Sequence, residues 1–426
     1  KAMGSYLARS ISYDGVTYET LTHDLTPVQS EIYDTMSQAW QITLQNINQA
    51  LDITGAINNA NARSSAKSAY YGAMQRFYNQ VLTSMSMPSV IRDIKKELAK
   101  NHSVVLQIVN TNEATAEKQL GKAKEQGLSL DELDLTPREA LLGYLEKSFP
   151  INAYEEYMDD EGNIRSRLVT DSAGNPVVDR QAQAMRDALA GRINEMSIPD
   201  GPLEMLYRSF GTEEVAEVTG RSRRIVPKKN ADGSTELMEE RRTNNHALAD
   251  AQAFQDGKKH ILIFSEKGGT GKSYHADRRA KNQQQRIHYV LQPGWSAAKA
   301  TQGFGRTHRS NQAVTPSFRL VTTNIMGQKR FVSTIARRLD QMGALTKGQR
   351  QTGSGMFGEK DNLESALAKD SLRNFYKAMG SGKFFCVPKP REIAVLTSLF
   401  ESLIEYYAFG NSNAMDEFYN YAVDNF

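Results

Sequence analysis

The fold of this chain is constrained most by five short apolar runs that are rich in β-branched and aromatic residues. They cover residues 103–109, 214–220, 260–266, 286–292 and 317–324. Helical or irregular segments separate them, and short apolar strands that alternate with helices are typical of a parallel, doubly wound α/β sheet. Ligands of such sheets bind beyond the carboxyl ends of the strands. We therefore expect functional residues directly after these runs.

Helical patterns precede the sheet. The first 100 residues are predicted to form a helical segment, in which Thr26 caps a helix that begins at Pro27. Four apolar residues recur at helical spacing and predict a packed face. They are Ile32, Met36, Trp40 and Leu44.

The rest of the chain divides into a sheet domain over residues 101–350, with an insertion at about 110–205, and a helical tail over 351–426. Turn residues inside "YEEYMDDEGNIRSRLV" predict a β-hairpin in the insertion. Its acidic residues have no calcium-loop spacing, so we expect a solvated face and no metal site. The basic, polar stretch 222–245 is predicted to be an exposed loop.

Composition limits the class of protein. The single cysteine, Cys386, excludes an internal disulfide framework and a zinc cluster made of cysteines, and it indicates a reducing compartment. No apolar run approaches the roughly 20 residues of a membrane span, so no membrane partner is expected.

The charge of the chain is unevenly distributed although its net value is only +3. Residues 221–350 hold 25 Lys and Arg against 9 Asp and Glu, and there is no acidic residue between Arg278 and Leu339. A segment this basic usually faces nucleic acid or nucleotide phosphates. The alternative is a solvated surface that pairs with the acidic remainder of the chain.

The stretch "EKGGTGKS", residues 266–273, contains the Gly-Lys-Ser of a phosphate-binding loop. Such a loop requires a second glycine five places before Gly271, where this chain has Glu266, and a carboxylate there would repel a triphosphate. A variant loop of partition-type ATPases does match over Lys267–Ser273. The polar segment that follows is a poor helix, and no later strand ends in an acid that could hold magnesium, so both features disfavour a phosphate loop.

A second motif, "QGFGRTHR", lies at residues 302–309 and fits the pattern Q-x-x-G-R-x-x-R of the sixth motif of superfamily 2 helicases. A planar guanidinium can bind two oxygens of a transferring phosphoryl group at once, which suits arginines to this task. The spacing places Gln302, Arg306 and Arg309 on one face of a predicted helix. The alternative is a basic surface helix.

Together with these motifs, the segments "GRTHRSNQ" (305–312) and "STIARRLDQMGALTKG" (333–348) resemble the strawberry notch family of helicase-like proteins. The resemblance covers about 1–50 and most of 100–355. It implies a RecA-like lobe of the P-loop NTPase type, the second of two lobes that enclose ATP and Mg²⁺. It also implies that the lobe acts on DNA or RNA.

By this resemblance the glycine-rich stretch is the fifth helicase motif, which couples nucleic-acid contact to the nucleotide. Its residues would be Gly268, Gly269, Gly271, Lys272, Ser273 and His275, with Lys272 meeting a nucleic-acid phosphate. Arg306 and Arg309 would be the arginine fingers, with Gln302 beside them. The basic residues Arg221, Arg223, Arg224, Lys329, Arg330, Arg337 and Arg338, and also Asn311 and Gln312, would extend the nucleic-acid contact.

One large departure is that no phosphate loop and no acidic magnesium motif precede this lobe. We therefore expect a first RecA-like lobe upstream in the same chain or in another chain. Two alternatives stay open: a partition-type ATPase, and a non-catalytic RecA-like module of a phage or bacterial assembly. The resemblance is strongest to bacterial and phage members, which predicts a location in bacterial or phage-infected cytoplasm or in a virion.

Overall fold

The computed structural model describes residues 15–56, 59–109, 136–158, 164–196, 198–229, 235–265, 271–292 and 302–325, with a few single residues between and after these ranges. A six-stranded sheet forms its centre, and every neighbouring pair of strands in it is parallel. Its strands are β1 (Thr17–His23), β2 (Ser103–Ile108), β5 (Val215–Val218), β8 (Ile261–Ser265), β9 (Arg286–Val290) and β10 (Ser317–Thr323). Their order across the sheet is β1-β10-β9-β2-β8-β5. The predicted α/β class with a parallel, RecA-like sheet is confirmed.

All five predicted strands form, and a sixth was missed. Strand β1 lies inside the first 100 residues, which were predicted to be helical, and it pairs with β10 at the edge of the sheet. Its sequence, TYETLTH, is mostly polar because most of the strand is exposed. Strands β2, β5, β8 and β9 are buried along their whole length, which explains their mainly apolar sequences.

Helices and two hairpins surround the sheet. The helices are α1 (Pro27–Ile53), α2 (Ala60–Ala99), α3 (Arg138–Ser148), α4 (Arg180–Asn194), α5 (Pro202–Glu214) and α6 (Asn244–Gln255). The hairpins are β3 (Tyr154–Met158) with β4 (Ile164–Leu168), and β6 (Arg223–Lys229) with β7 (Thr235–Arg241), both antiparallel. The first confirms the hairpin predicted in the insertion. The second corrects the prediction of an exposed loop over 222–245.

Helix α1 begins as its sequence predicts. Thr26 accepts a hydrogen bond from the backbone N–H of Gln29, whose side chain accepts one from the N–H of Thr26, and Pro27 occupies the first helical position. Such caps contribute about 1 kcal/mol. Met36, Trp40 and Leu44 are buried, in a core that α1 and α2 share with α3 and α4 of the insertion. The segment before the sheet domain and the insertion are therefore packed together.

The two faces of the sheet are covered differently. Alternate strand residues such as Val104 and Val105 point to opposite faces. Helices α2 and α5 cover the face that bears Val104. Helix α6 and the non-helical segment around Tyr274 cover the face that bears Val105. No helix in the described part of the chain has the length and apolar character needed to cross a membrane.

Candidate functional site

Two segments that the sequence singles out lie side by side in the structure. We call residues 271–285 the glycine-rich segment and residues 302–313 the arginine segment. Backbone hydrogen bonds join them: Tyr274 N–H donates to Arg306 O at 2.6 Å, and Ala313 N–H donates to Ala276 O at 2.7 Å. Residues 32 and 37 positions apart in the chain therefore form one continuous surface.

The two arginines of the motif differ in exposure. Arg306 is only 7% exposed, and its Nη1 donates to the carbonyl oxygen of Lys272 at 2.8 Å. Burial lowers the pKa of Arg306. Arg309 is exposed, and only its Nε is used within the segment, in a 2.8 Å bond to Gly305 O. The guanidinium of Arg309 is therefore open to a ligand, whereas Arg306 joins the two segments.

The predicted helix over this motif is shorter than expected. Helical conformation spans Gln302 to Phe304, followed by a turn that ends at Thr307. Arg309 lies beyond the turn, so Gln302, Arg306 and Arg309 do not share one helix face. The turn is held by buried His288 of β9, whose Nδ1 is 2.8 Å from Thr307 Oγ1. Sequence reasoning missed His288, although a histidine in an otherwise apolar strand is a signal of a buried polar contact.

The glycine-rich segment does not continue into a helix. Residues 271–285 contain turns, bends and one isolated bridge but no helix, so the first turn of a helix does not follow Ser273. Gly271 has a φ of +77°, a backbone conformation that favours glycine. Lys272 and Ser273 are partly exposed. Gly268 and Gly269 lie outside the described residues.

His275 lies beneath the surface where the two segments meet. It is 7% exposed, and its Nε2 is 3.3 Å from Asp277 Oδ2. Burial lowers the pKa of His275 more than the nearby Asp277 carboxylate raises it. Asp277 also accepts hydrogen bonds from Arg279 and from Asn311, and the Arg279 bonds hold the pKa of Asp277 well below its usual range.

The surface of the two segments is cationic. Arg278, Arg279, Lys281 and Arg309 are exposed there, and Lys272 is partly exposed. Asp277 is the one carboxylate in residues 271–292 and 302–325. Gln312 and Asn311 bond to the glycine-rich segment, through a bridge to Asp277 and a 3.1 Å bond from Arg278 N–H. These donors suit phosphate oxygens, and they include no ligand set for a metal ion.

The structure corrects the expectation that Arg221 and Arg224 contact nucleic acid. Both side chains are buried and pair with Glu217 of β5, at 2.8 Å from Arg221 Nε and 3.5 Å from Arg224 Nη1. Burial alone would raise the pKa of Glu217, but the charge and hydrogen bonds of Arg221 hold it far below its usual range. Arg223 is partly exposed and pairs with Glu239 at 3.2 Å.

Four further residues that were predicted to contact nucleic acid lie outside the described residues: Lys329, Arg330, Arg337 and Arg338. In the ranges that the structure describes, no group of three or more His, Cys, Asp or Glu side chains is arranged to hold a metal ion.

One family model and several known proteins match this chain. The family model described as the C-terminal domain on Strawberry notch homologue matches residues 201–421, which is more than half of the chain. Protein FORGETTER 1 of Arabidopsis thaliana is 28% identical over 89% of this chain and 38% of its own length. Protein strawberry notch homolog 1 of Rattus norvegicus is 27% identical over 89% of this chain and 35% of its own length.

A higher identity occurs over a shorter part of the chain. Protein strawberry notch of Drosophila melanogaster is 34% identical over 50% of this chain. The chain spans about a third of the length of the relatives that it matches most fully, between 32% and 38%. These relatives are plant and animal proteins, so the expected bacterial or phage origin stays a prediction.

Proposed function

The chain belongs to the strawberry notch family as its helicase-like C-terminal lobe, and from this premise we propose that it binds nucleic acid and completes an ATP site. The nucleic acid is DNA or RNA. The ATP and Mg²⁺ lie between this lobe and a first RecA-like lobe, located upstream in the same chain or in another chain. Hydrolysis then drives closure of the lobes and movement along the nucleic acid.

One observation carries the proposal: the glycine-rich and arginine segments form a single cationic surface. The bond from Arg306 to Lys272 O joins the predicted nucleic-acid residue to the predicted finger motif. A ligand that moves Lys272 would therefore move Arg306 and the turn before Arg309. Contiguous hydrogen bonds of this kind can carry energetic coupling between two ligands.

We assign the residues different roles according to the exposure of their side chains. Arg309, with its open guanidinium, is the candidate to reach a γ-phosphate across the cleft and to stabilise its charge in the transition state. Lys272 supplies a point charge for a nucleic-acid phosphate. Bound Mg²⁺ would neutralise phosphate charge, and its ligands must come from elsewhere, because the two segments supply cationic and neutral donors but only one carboxylate.

The partition-type ATPase is the competing function. It requires the amides after Lys272 and Ser273 to open a helix, as phosphate loops do. The non-helical conformation of residues 274–285 favours the helicase-like proposal over this alternative. The non-catalytic module predicts neither nucleotide nor nucleic-acid binding.

Binding by this chain tests the proposal directly. A labelled single-stranded oligonucleotide and ATP with Mg²⁺ would be titrated against the wild type, Lys272→Ala and the control Lys96→Ala. Lys96 is exposed on α2, which packs on the opposite face of the sheet. We expect weak or no ATP binding and salt-dependent nucleic-acid binding. In Lys272→Ala the slope of log K against log salt should fall by about 0.7, the value of one single-strand phosphate contact.

Two outcomes would contradict this expectation. Tight ATP binding that is lost in Lys272→Ala would establish a phosphate loop. Absence of binding to either ligand would support the non-catalytic module. In a longer chain that carries both lobes, Arg309→Ala should lower kcat of ATP hydrolysis by roughly a thousandfold.

A further inference from the structure

Arg286, the first residue of β9, buries its whole guanidinium group between the glycine-rich segment and α6. The residue is 1% exposed and lies over the ring of Phe254 at 4.9 Å. Its nitrogens donate five hydrogen bonds, to Tyr274 O, Gln255 Oε1, Gln284 O and the backbone and side-chain oxygens of Asn282, at 2.7 to 3.1 Å. Every donor direction of the guanidinium is therefore used.

All of these acceptors are neutral. Within the described ranges, Arg286 forms no ion pair with a carboxylate, in contrast to Arg221, Arg224 and Arg319. Burial without such a partner lowers the pKa of Arg286. A buried charge that lacks a counter-charge is costly to fold. The positions of the five acceptors show which parts of the chain the buried guanidinium holds together.

The acceptors fix both ends of the glycine-rich segment. Tyr274 lies near its start, whereas Asn282 and Gln284 lie near its end. Gln255 of α6 adds a second support, because its Oε1 accepts from Arg286 and its Nε2 donates to Ser273 O at 3.2 Å. A segment without helical hydrogen bonds is thereby held by side chains.

Tyr274 connects Arg286 to the arginine segment. Tyr274 O accepts from Arg286, and Tyr274 N–H donates to Arg306 O at 2.6 Å. Arg306 in turn donates to Lys272 O at 2.8 Å. Arg286, Tyr274, Arg306 and Lys272 thus form an unbroken series of hydrogen bonds from the core to the cationic surface.

We propose that Arg286 is a positioning residue that sets the separation of Lys272 and Arg309, so that Lys272 meets a phosphate of the nucleic acid while Arg309 faces the nucleotide. The proposal rests on the proposed function for the identity of these two ligands. Lysine cannot replace arginine here, because an ammonium group has three donors on a flexible stem and cannot span acceptors in a planar fork.

Nucleic-acid binding and hydrogen exchange together test the proposal. We would compare the wild type with Arg286→Lys, Gln255→Ala and the control Arg319→Lys, using a labelled single-stranded oligonucleotide at several salt concentrations. Arg319 suits the control because it is also largely buried, but its carboxylate partners Asp93 and Glu97 lie on α2. Arg286→Lys should weaken binding about tenfold and reduce the salt slope by about one phosphate contact. Gln255→Ala should show a smaller change in the same direction.

The control separates positioning from general stability. Arg319→Lys should lower the urea midpoint without changing the dissociation constant or its salt slope. In Arg286→Lys and Gln255→Ala, amide exchange should accelerate in the peptide that covers 271–276 and stay at the wild-type rate in β2. If exchange accelerates throughout the sheet, or if Arg319→Lys weakens binding equally, Arg286 has only a folding role and the proposal is wrong.

The design also separates this inference from the proposed function. If the wild type binds no nucleic acid, the proposed function fails, while the exchange data still report whether Arg286 holds the two segments. If the wild type binds and Arg286→Lys binds equally well with the same salt slope, only the positioning role fails. Should Arg286→Lys not fold, Gln255→Ala provides the same comparison with a smaller perturbation.

Discussion

At the scale of single residues, Gly303 shows how closely the arginine segment approaches the sheet. A Cβ atom at this position would lie 2.2 Å from Oε1 of Gln107, a buried residue of β2. The helicase motif pattern requires glycine at Gly305 and leaves position 303 open. The requirement at 303 therefore comes from packing, and the motif alone does not reveal it.

We predict that Gly303→Ala destabilises the protein by about 1 kcal/mol, at the low end of the range for overpacking, because the added methyl group meets only the end of the Gln107 side chain, which can shift. Urea unfolding would measure the change. Gln107→Ala in the same chain should recover most of it, since the clash is with the end of that side chain. Gly191→Ala in α4 is the matched control: nothing lies within 4 Å of its Cβ, and alanine is the better helix former. Equal losses at the two glycines would contradict the packing argument.

The sequence predicts that Lys272 and the arginine motif lie near each other, because each segment follows a strand of one parallel sheet. The two strands are β8 and β9, and only β2 lies between them. The roles of Arg221 and Arg224 could not be predicted, because they depend on Glu217, a single acid inside a buried strand. The order of residues along the sequence does not show that charged side chains from α5, β5 and β6 meet in one buried cluster.

At the scale of elements, the Glu217 cluster joins three parts of the chain. Glu217 is completely buried in β5 and accepts a hydrogen bond from Tyr207 of α5. Arg224 of β6 lies over the Tyr207 ring at 4.9 Å and also pairs with Glu240 of β7. The hairpin β6–β7 is thus attached to the sheet by a buried carboxylate, although its sequence is basic and polar.

Removing the Glu217 carboxylate should destabilise the protein strongly. We predict that Glu217→Gln lowers the free energy of unfolding by about 3–5 kcal/mol, because it leaves Arg221 buried without a full counter-charge. The exposed pair of Glu155 and Arg167 provides the comparison, and Glu155→Gln should cost less than about 1 kcal/mol. Thermal or urea unfolding of both variants gives the result. A Glu217→Gln variant as stable as Glu155→Gln would show that the cluster does not attach the hairpin.

The elements that sequence analysis missed share one physical cause. Strand β1 and the hairpin β6–β7 carry many polar residues because they lie at an edge or outside the main sheet. Apolar periodicity, which identified the central strands, is weak in such places. The helix over 302–309 ends early because the turn is bonded to His288 and to the glycine-rich segment, which are contacts distant in sequence.

At the scale of the whole molecule, the uneven charge of the sequence serves two purposes. Part of the basic segment is buried and paired, as in Arg221 and Arg224, and stabilises the fold. The part around Lys272 and Arg309 is accessible, and within residues 271–292 and 302–325 its single carboxylate is Asp277. Net charge along the sequence therefore overstates the accessible positive charge, and only the part around the two motifs is exposed and available to a polyanion.

Three buried carboxylates among the described residues make the stability of the chain depend on pH. Burial raises the pKa of Glu97, but hydrogen bonds from Lys100, His102 and Arg319 lower it to about 2. The pKa values of Glu217 and Asp250 are also held below their usual range by basic partners that outweigh burial. The folded chain therefore binds fewer protons than the unfolded chain below about pH 4.5. The stabilisation is complete above that pH and is lost as the pH falls toward 2.

We predict that the urea midpoint is nearly constant from pH 7 to 5 and falls steeply between pH 4.5 and 2.5. Glu97→Gln should lower the midpoint at pH 6 and make its acid dependence shallower, because that variant has one fewer group to protonate on unfolding. Glu155→Gln, at an exposed pair, should shift the curve little and leave its slope unchanged. If Glu97→Gln keeps the full acid slope, the carboxylate that ties α2 to β10 through Arg319 does not contribute to it, and the other buried pairs must account for the whole dependence.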